Sequence, residues 1–201
     1  SLNDNITKYD LVPGLTILRE EISKKLLEEN NCHYAPDEIV VTSGAKMALT
    51  NTLMAVTDPG DEVLLVKPYW VSYSEMTKLV NAVPVGIETD KANDFKLTGE
   101  LLEKYITEKT KMLILNNPCN PTGAIYTKEE LLDICNVCLK HNIYILADEI
   151  YERICFNNKF VSVASLSDEI RNITITINGF AKSAALTGTR LGYSATPREL
   201  A

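Results

Sequence analysis

Residues 127–151 read TKEELLDICNVCLKHNIYILADEIY. Two patterns meet in this stretch. Thr127 can cap a helix whose first turn carries Glu129 and Glu130, a capping-box arrangement. The helical pattern over 129–140 then yields to 143–147, a short apolar run that reads as a buried strand. Asp148 stands at the end of that strand.

The same alternation extends in both directions. Toward the N-terminus, 15–29 predicts an amphipathic helix with Leu18, Ile22, Leu26 and Leu27 on one face. A β-branched strand over 38–42 ends at Ser43-Gly44 and is followed by a helix over 45–56. Asp58-Pro59-Gly60-Asp61 is a turn signal. Strands are expected at 62–67, 83–88 and 111–115, with a helix at 97–105. Toward the C-terminus, strands are expected at 173–177 and 191–195. Strands alternating with helices predict a three-layer α/β/α fold around a mainly parallel sheet covered on both faces. No repeat, low-complexity linker or internal boundary interrupts the chain, so residues 1–201 read as one domain.

Composition narrows the classes of function. The 201 residues are 45% hydrophobic and 23% charged, with a formal net charge of −7. An acidic balance gives no electrostatic reason to expect nucleic acid or an anionic membrane as partner, although one local basic site would suffice for an anionic ligand. No apolar run approaches a bilayer-spanning length, and the opening SLNDN lacks the basic and apolar regions of a signal peptide. Five cysteines spread over the chain do not read as a secreted disulfide framework, so reducing cytoplasm is the simpler assumption. Cys135 and Cys138 form a C-x-x-C, but inside a helix rather than at its N-terminus, where a thiol is activated. They are expected to face the core. With only His33 and His141 and no second close-spaced pair, no metal site is expected.

In an open parallel sheet, ligands bind outside the carboxyl ends of the strands, so the residues just after each strand carry the functional reading. Ser43-Gly44-Ala45-Lys46 opens a helix, where free N–H groups and the helix dipole suit an anion; the alternative is a glycine that only makes the turn. Residues 116–123, NNPCNPTG, force an irregular loop whose asparagines can donate to a ligand, or serve turn chemistry alone. Asp148 lies near the ligand crevice, or caps a helix. Lys182 follows a strand and a glycine. It is either a solvated surface charge or a desolvated amine suited to Schiff-base chemistry. Arg190, flanked by Gly188 and Gly192, is either a phosphate partner or half of an ordinary ion pair.

Taken in order, these motifs resemble fold-type I pyridoxal-phosphate enzymes, and most closely class I aminotransferases of the aspartate aminotransferase family. The resemblance rests on VPGLTILR at 12–19, SGAK at 43–46, KPYW at 67–70, NNPCNPTG at 116–123, ADEIY at 147–151, NGFAKS at 178–183 and TGTRLGY at 187–193. It implies pyridoxal 5′-phosphate as cofactor and transamination between an amino acid, aspartate-type, and a 2-oxo acid. It implies that Lys182 binds the cofactor aldehyde and shuttles a proton, and that Asp148 pairs with the pyridine nitrogen. Tyr151 and Asn120 would hydrogen-bond the ring's phenolic oxygen, and Trp70 would stack on the ring. Gly44 lets backbone approach the phosphate, Ala45 and Lys46 offer it N–H groups, and Arg190 helps to hold it. Tyr9 matches a tyrosine that reaches the neighbouring subunit's phosphate, so the resemblance implies a homodimer.

Three departures qualify these expectations. Gly179 stands where many relatives have a serine that binds phosphate, and Thr189 where the branch usually has tryptophan. The chain ends at Ala201, where full-length relatives continue into a small C-terminal domain with the arginine that clamps the substrate α-carboxylate. The resemblance thus reads this chain as the large domain alone, itself inactive. The alternatives on the same scaffold are a carbon–sulfur lyase, an aminocyclopropanecarboxylate synthase-like enzyme, and a non-catalytic cofactor-binding piece.

Overall fold

The computed structural model describes residues 11–156 and 160–201. Among these, seven strands form one sheet: β1 (Ile39–Ser43), β2 (Glu62–Val66), β3 (Val83–Ile87), β4 (Thr110–Asn116), β5 (Tyr144–Asp148), β6 (Thr174–Gly179) and β7 (Leu191–Ala195). Their order across the sheet is β1-β7-β6-β5-β4-β2-β3. Strands β3, β2, β4, β5 and β6 run parallel, while β7 is antiparallel to both β6 and β1.

Alternation along the strands divides the core into two layers. Leu64, Leu113, Leu115, Ile145 and Ala147 face one layer, with Leu131, Ile134, Cys135 and Cys138 of α5 (Lys128–His141) packed on them. Their neighbours Val63, Leu65, Met112, Ile114 and Leu146 face the other, beneath α2 (Ala45–Val56) and α3 (Ser72–Leu79). A period of two puts successive residues on opposite faces, so apolar runs such as 112–115 suit a sheet covered on both sides. A smaller cluster joins α1 (Thr16–Asn30) to β1 and β7 through Ile22, Leu26, Ile39, Tyr193 and Ala195. Cys135 and Cys138 are free thiols in the core, and burial pushes the Cys135 thiol up to about 12.

The Thr127 capping box forms as expected, its hydroxyl accepting from Glu130 N and the Glu130 carboxylate accepting from Thr127 N at 2.7 Å. Two points of the element reading needed revision. The helix expected at 97–105 is shorter, α4 (Gly99–Glu103), because Thr98 caps its start. Helix α3 and the short α6 (Asp168–Arg171) add elements that the periodicity reading missed. The sheet is mainly parallel, as expected, and β7 runs against both of its neighbours.

The order of strands also fixes where a ligand can sit. After β2 the chain turns outward through α3 to β3; after β4 it turns the other way through α5 to β5. Helices α3 and α5 leave adjacent strands to opposite faces, which opens a crevice at the carboxyl ends of β2 and β4.

The segment after β5 is tied down from below. Glu149 is fully buried; its carboxyl accepts from Ser162 Oγ at 2.8 Å and from Val163 N at 2.9 Å. Glu152 pairs with Lys25 of α1 and accepts from Asn30 Nδ2 at 2.8 Å. Burial pushes the Glu149 carboxyl from its ordinary 4.5 up to about 8, against the pull of Val163 N and Ser162. A folded-state pKa above the unfolded value means the native state holds the extra proton. The stability this proton contributes is complete below about 4.5 and is lost as pH rises through about 8.

Two outcomes follow for unfolding in urea. Leu146→Ala, which empties a fully buried site one strand position from Ala147, should cost roughly 2–5 kcal/mol. Glu149→Gln should flatten the decline in stability between pH 4.5 and 8, where one proton contributes a slope of about 1.4 kcal/mol per pH unit. Equal slopes in the two proteins would show that Glu149 is not the titrating group.

Candidate active site

A cleft of about 250 Å³ opens at these strand ends, lined by residues from five segments. Ala45, Lys46 and Leu49 come from the start of α2, and Trp70 and Tyr73 from the β2–α3 connection and α3. Asn116 and Asp148 end β4 and β5, Asn120 and Tyr151 follow those strands, and Lys182 and Arg190 lie between β6 and β7. Lys182, Asp148, Tyr151, Asn120, Trp70, Ala45, Lys46 and Arg190 are thus brought to one cavity from positions more than a hundred residues apart. Gly44 sits at its rim, against the Arg190 guanidinium. Tyr9 lies outside the described residues.

Asp148 forms the floor and is 3% exposed. Tyr73 donates its hydroxyl to Asp148 Oδ2 at 2.6 Å, and Ile150 N donates to Oδ1 at 3.3 Å. The backbone carbonyl of Asp148 accepts from Asn116 Nδ2 at 2.8 Å and from Asn117 N at 3.1 Å. Burial raises the Asp148 carboxyl above its ordinary value, while Tyr73 and Ile150 N pull it back. The helix-cap reading of Asp148 gives way to a turn: residues 151–153 form no α-helix, and Ile150 N–H is the one backbone donor shown to meet the carboxylate.

The rest of the cleft surrounds that carboxylate. Asn120 N donates to Asn116 Oδ1 at 2.7 Å, which locks the NNPCNPTG loop, and Asn120 Nδ2 donates to Tyr151 Oη at 3.4 Å. Lys182 Nζ lies 5.6 Å from the centre of the Tyr151 ring. Lys182 is exposed, which favours the solvated of its two alternatives: the cleft opens to solvent on this side. Trp70 meets Tyr73 edge-on, with ring centres 5.4 Å apart, and Lys46 Nζ stands 4.7 Å from the centre of a Trp70 ring.

Opposite the floor is a place for an anion. The N-cap of α2 is Gly44 at φ 83°, a left-handed conformation, and no side chain caps this helix end. Its first N–H groups therefore point out of the helix toward the cleft. A Cβ on Gly44 would come within 2.6 Å of Arg190 Nη2, so the glycine lets the guanidinium close on the helix end. Arg190 Nη1 donates to Thr187 O at 3.1 Å. A Cβ at Gly179 would meet Leu191 O at 2.8 Å, so a serine there would require β7 to shift. Nothing in the structure explains Thr189.

Tyr73 and Asn116 are the residues whose contacts were missed. Asn116 lay within the quoted loop motif without a role. Tyr73 had a signal: Tyr73, Met76, Thr77 and Val80 follow helical spacing, and the first three are buried. Chemically, the cleft presents a buried carboxylate to a cationic or N–H group, aromatic faces to a planar ring, a primary amine, and a helix end with an arginine for an anion.

Known proteins carry the same arrangement of chain. The probable aspartate/prephenate aminotransferase of Aquifex aeolicus is 48% identical over 202 residues, covering 100% of this chain and 51% of that protein. The aspartate aminotransferase of Geobacillus stearothermophilus is 46% identical, with coverage of 100% and 51%. Among solved structures, the aspartate aminotransferase from Rhizobium meliloti superposes with a TM-score of 0.96 at 41% identity, covering 99% of this chain and 50% of that one. An aromatic aminotransferase from Pyrococcus horikoshii gives 0.95 at 39% identity, with coverage of 99% and 54%. The chain therefore spans about half the length of the curated relatives it matches. Residues 1–201 match the family described as aminotransferase class I and II along their whole length, and the chain belongs to that family.

Proposed function

We propose that the cleft is a pyridoxal 5′-phosphate site and that the protein to which this chain belongs transfers an amino group between an aspartate-type amino acid and a 2-oxo acid. The observation that carries this reading is a buried carboxylate, Asp148, facing the same cavity as a primary amine, Lys182, and an uncapped helix end with Arg190. These three groups fit the three ends of the cofactor: ring nitrogen, aldehyde and phosphate.

Bound there, the cofactor supplies an electron sink for charge developing at the substrate α-carbon. The residues do the rest. Asp148 holds a proton at the ring nitrogen by ionic pairing. Asn120 and Tyr151, already neighbours at 3.4 Å, direct their polar groups to the ring's phenolic oxygen. Trp70 covers a ring face. Ala45 and Lys46 offer backbone N–H groups to the phosphate, and Arg190 adds a planar fork of donors. Lys182 Nζ would hold the cofactor at its aldehyde, and as a free amine would take up the proton leaving the substrate α-carbon. The family resemblance supports a homodimer for the whole protein, with Tyr9 reaching the partner's phosphate, and the cysteine usage supports a reducing cytoplasm.

Among the described residues, the cations lining the cleft are Lys46, Lys182 and Arg190. With Lys182 and Arg190 engaged by the cofactor, no arginine is left for the substrate α-carboxylate. That clamp would supply orientation worth several kcal/mol, on the order of what positioning contributes in enzymes.

Incubation with pyridoxal phosphate should give visible absorbance, and borohydride should leave a stable adduct that peptide mass spectrometry places on Lys182. Lys182→Ala should lose the adduct and keep the far-ultraviolet circular dichroism of the parent chain. An adduct on another lysine would overturn the site. The 201-residue chain should exchange amino groups at least about 100-fold more slowly than a full-length relative, a factor equivalent to roughly 2.7 kcal/mol; comparable turnover would show that the chain supplies its own clamp.

A further inference from the structure

Asp148 is held by a residue that the site's sequence motifs do not include. Tyr73 lies in α3, on the far side of the crevice from β5, and is 2% exposed. Its hydroxyl reaches across to Asp148 Oδ2 at 2.6 Å. Its ring stands edge-on to Trp70 at 89°, and its backbone N–H donates to Trp70 O at 3.0 Å. Thr77 Oγ1 donates to Tyr73 O at 2.9 Å, adding a side-chain bond to the turn of helix that carries the tyrosine. The phenol therefore has one packed position, and that position ends on one oxygen of the carboxylate.

We propose that Tyr73 is a positioning residue for Asp148, occupying Oδ2 so that Oδ1 is the oxygen presented to the cofactor's ring nitrogen. This rests on the reading of the cleft as a pyridoxal-phosphate site. A carboxylate has about four acceptor sites. Oδ1 meets only the long bond from Ile150 N, at 3.3 Å, and keeps capacity for a donor in the cleft. A short bond from a hydroxyl to a carboxylate is charge-assisted and favours the anion. Burial and the neighbouring Asp148 both raise the phenol's own pKa, so the shared proton stays on Tyr73. The Tyr73 bond draws the Asp148 carboxyl back down against the rise that burial causes, which favours a proton on the ring nitrogen over one on Oδ1. Cys119 and Tyr151 are the other titratable groups near the Tyr73 hydroxyl. Because Tyr73 also backs Trp70, one side chain supports both the nitrogen contact and the ring-face contact.

The test uses the 201-residue chain loaded with pyridoxal phosphate labelled with ¹⁵N in the ring. The parent chain should show the resonance of a protonated ring nitrogen. Tyr73→Phe, which keeps the ring packed on Trp70, should move it downfield toward the unprotonated position. Tyr126→Phe removes the hydroxyl of another buried tyrosine, one bonded to Leu97 N rather than to Asp148, and should leave the resonance in place. If Tyr73→Phe fails to fold, 3-fluorotyrosine at position 73 keeps the hydroxyl as a stronger donor and should hold the resonance at or beyond the protonated position. The ¹³Cγ shift of Asp148 in the cofactor-free chain reads the same coupling without the ligand, moving toward the protonated carboxyl in Tyr73→Phe. Failure of the chain to bind pyridoxal phosphate would sink the function reading while this shift still decides the role of Tyr73. Parent-like ¹⁵N and ¹³C shifts in Tyr73→Phe would overturn the proposal.

Discussion

A carboxylate buried at the end of a parallel strand must be answered, because an unpaired buried charge costs several kcal/mol. Asp148 is that carboxylate, and the surrounding structure is arranged around it. Tyr73 and Ile150 N meet its two oxygens, and Asn116 and Asn117 meet its backbone carbonyl. The sheet explains why the residue can be there at all. Helices cover both faces of β5, so its chemistry can emerge only at the strand's end, in the crevice left where α3 and α5 diverge. The two hydrogen bonds on the carboxylate lessen the cost of burial without supplying a positive charge. A cationic ring nitrogen in the cleft would complete the balance.

The supports of the cleft come from remote parts of the chain. Lys25 and Asn30 of α1 hold Glu152, and Ser162 and Val163 hold Glu149, so the turn carrying Tyr151 is fastened on both sides. Gly44 lets the Arg190 guanidinium lie against the start of α2, which joins the loop between β6 and β7 to the anion-binding end. Lys182 lies in that same loop and is exposed. The rigid groups thus surround the expected ring and phosphate, while the amine stands at the open side where substrate would enter.

Much of this was legible in the sequence, and the gaps have physical causes. Strand β5 and helix α5 combine a strong period with a capping box at Thr127, so type and place could both be read. Helix α3 begins after Val71 with no side-chain cap, and a helix without a start signal is easily passed over. Its loss hid Tyr73. The direction of β7 is not written in its own residues; it follows from the connection, because 180–190 contain only a short turn of 3-10 helix at Thr187–Thr189. Parallel neighbours need a crossover of a dozen or more residues, usually helical. The site motifs were readable individually only as alternatives. Asp148 could have been a cap and Lys182 a surface charge, and it was their order that pointed to one cleft. The exposure of Lys182 was not readable, since burial depends on what stands over a loop rather than on the loop's residues.

Asp148 is expected to answer the cofactor's ring nitrogen, and a crystal structure of the chain grown with pyridoxal phosphate tests this most directly. The ring nitrogen should lie about 2.8 Å from Asp148 Oδ1, a hydrogen-bond distance, with the phosphate at the start of α2. A ring bound with its nitrogen turned away from Asp148, or a phosphate held elsewhere, would contradict the account.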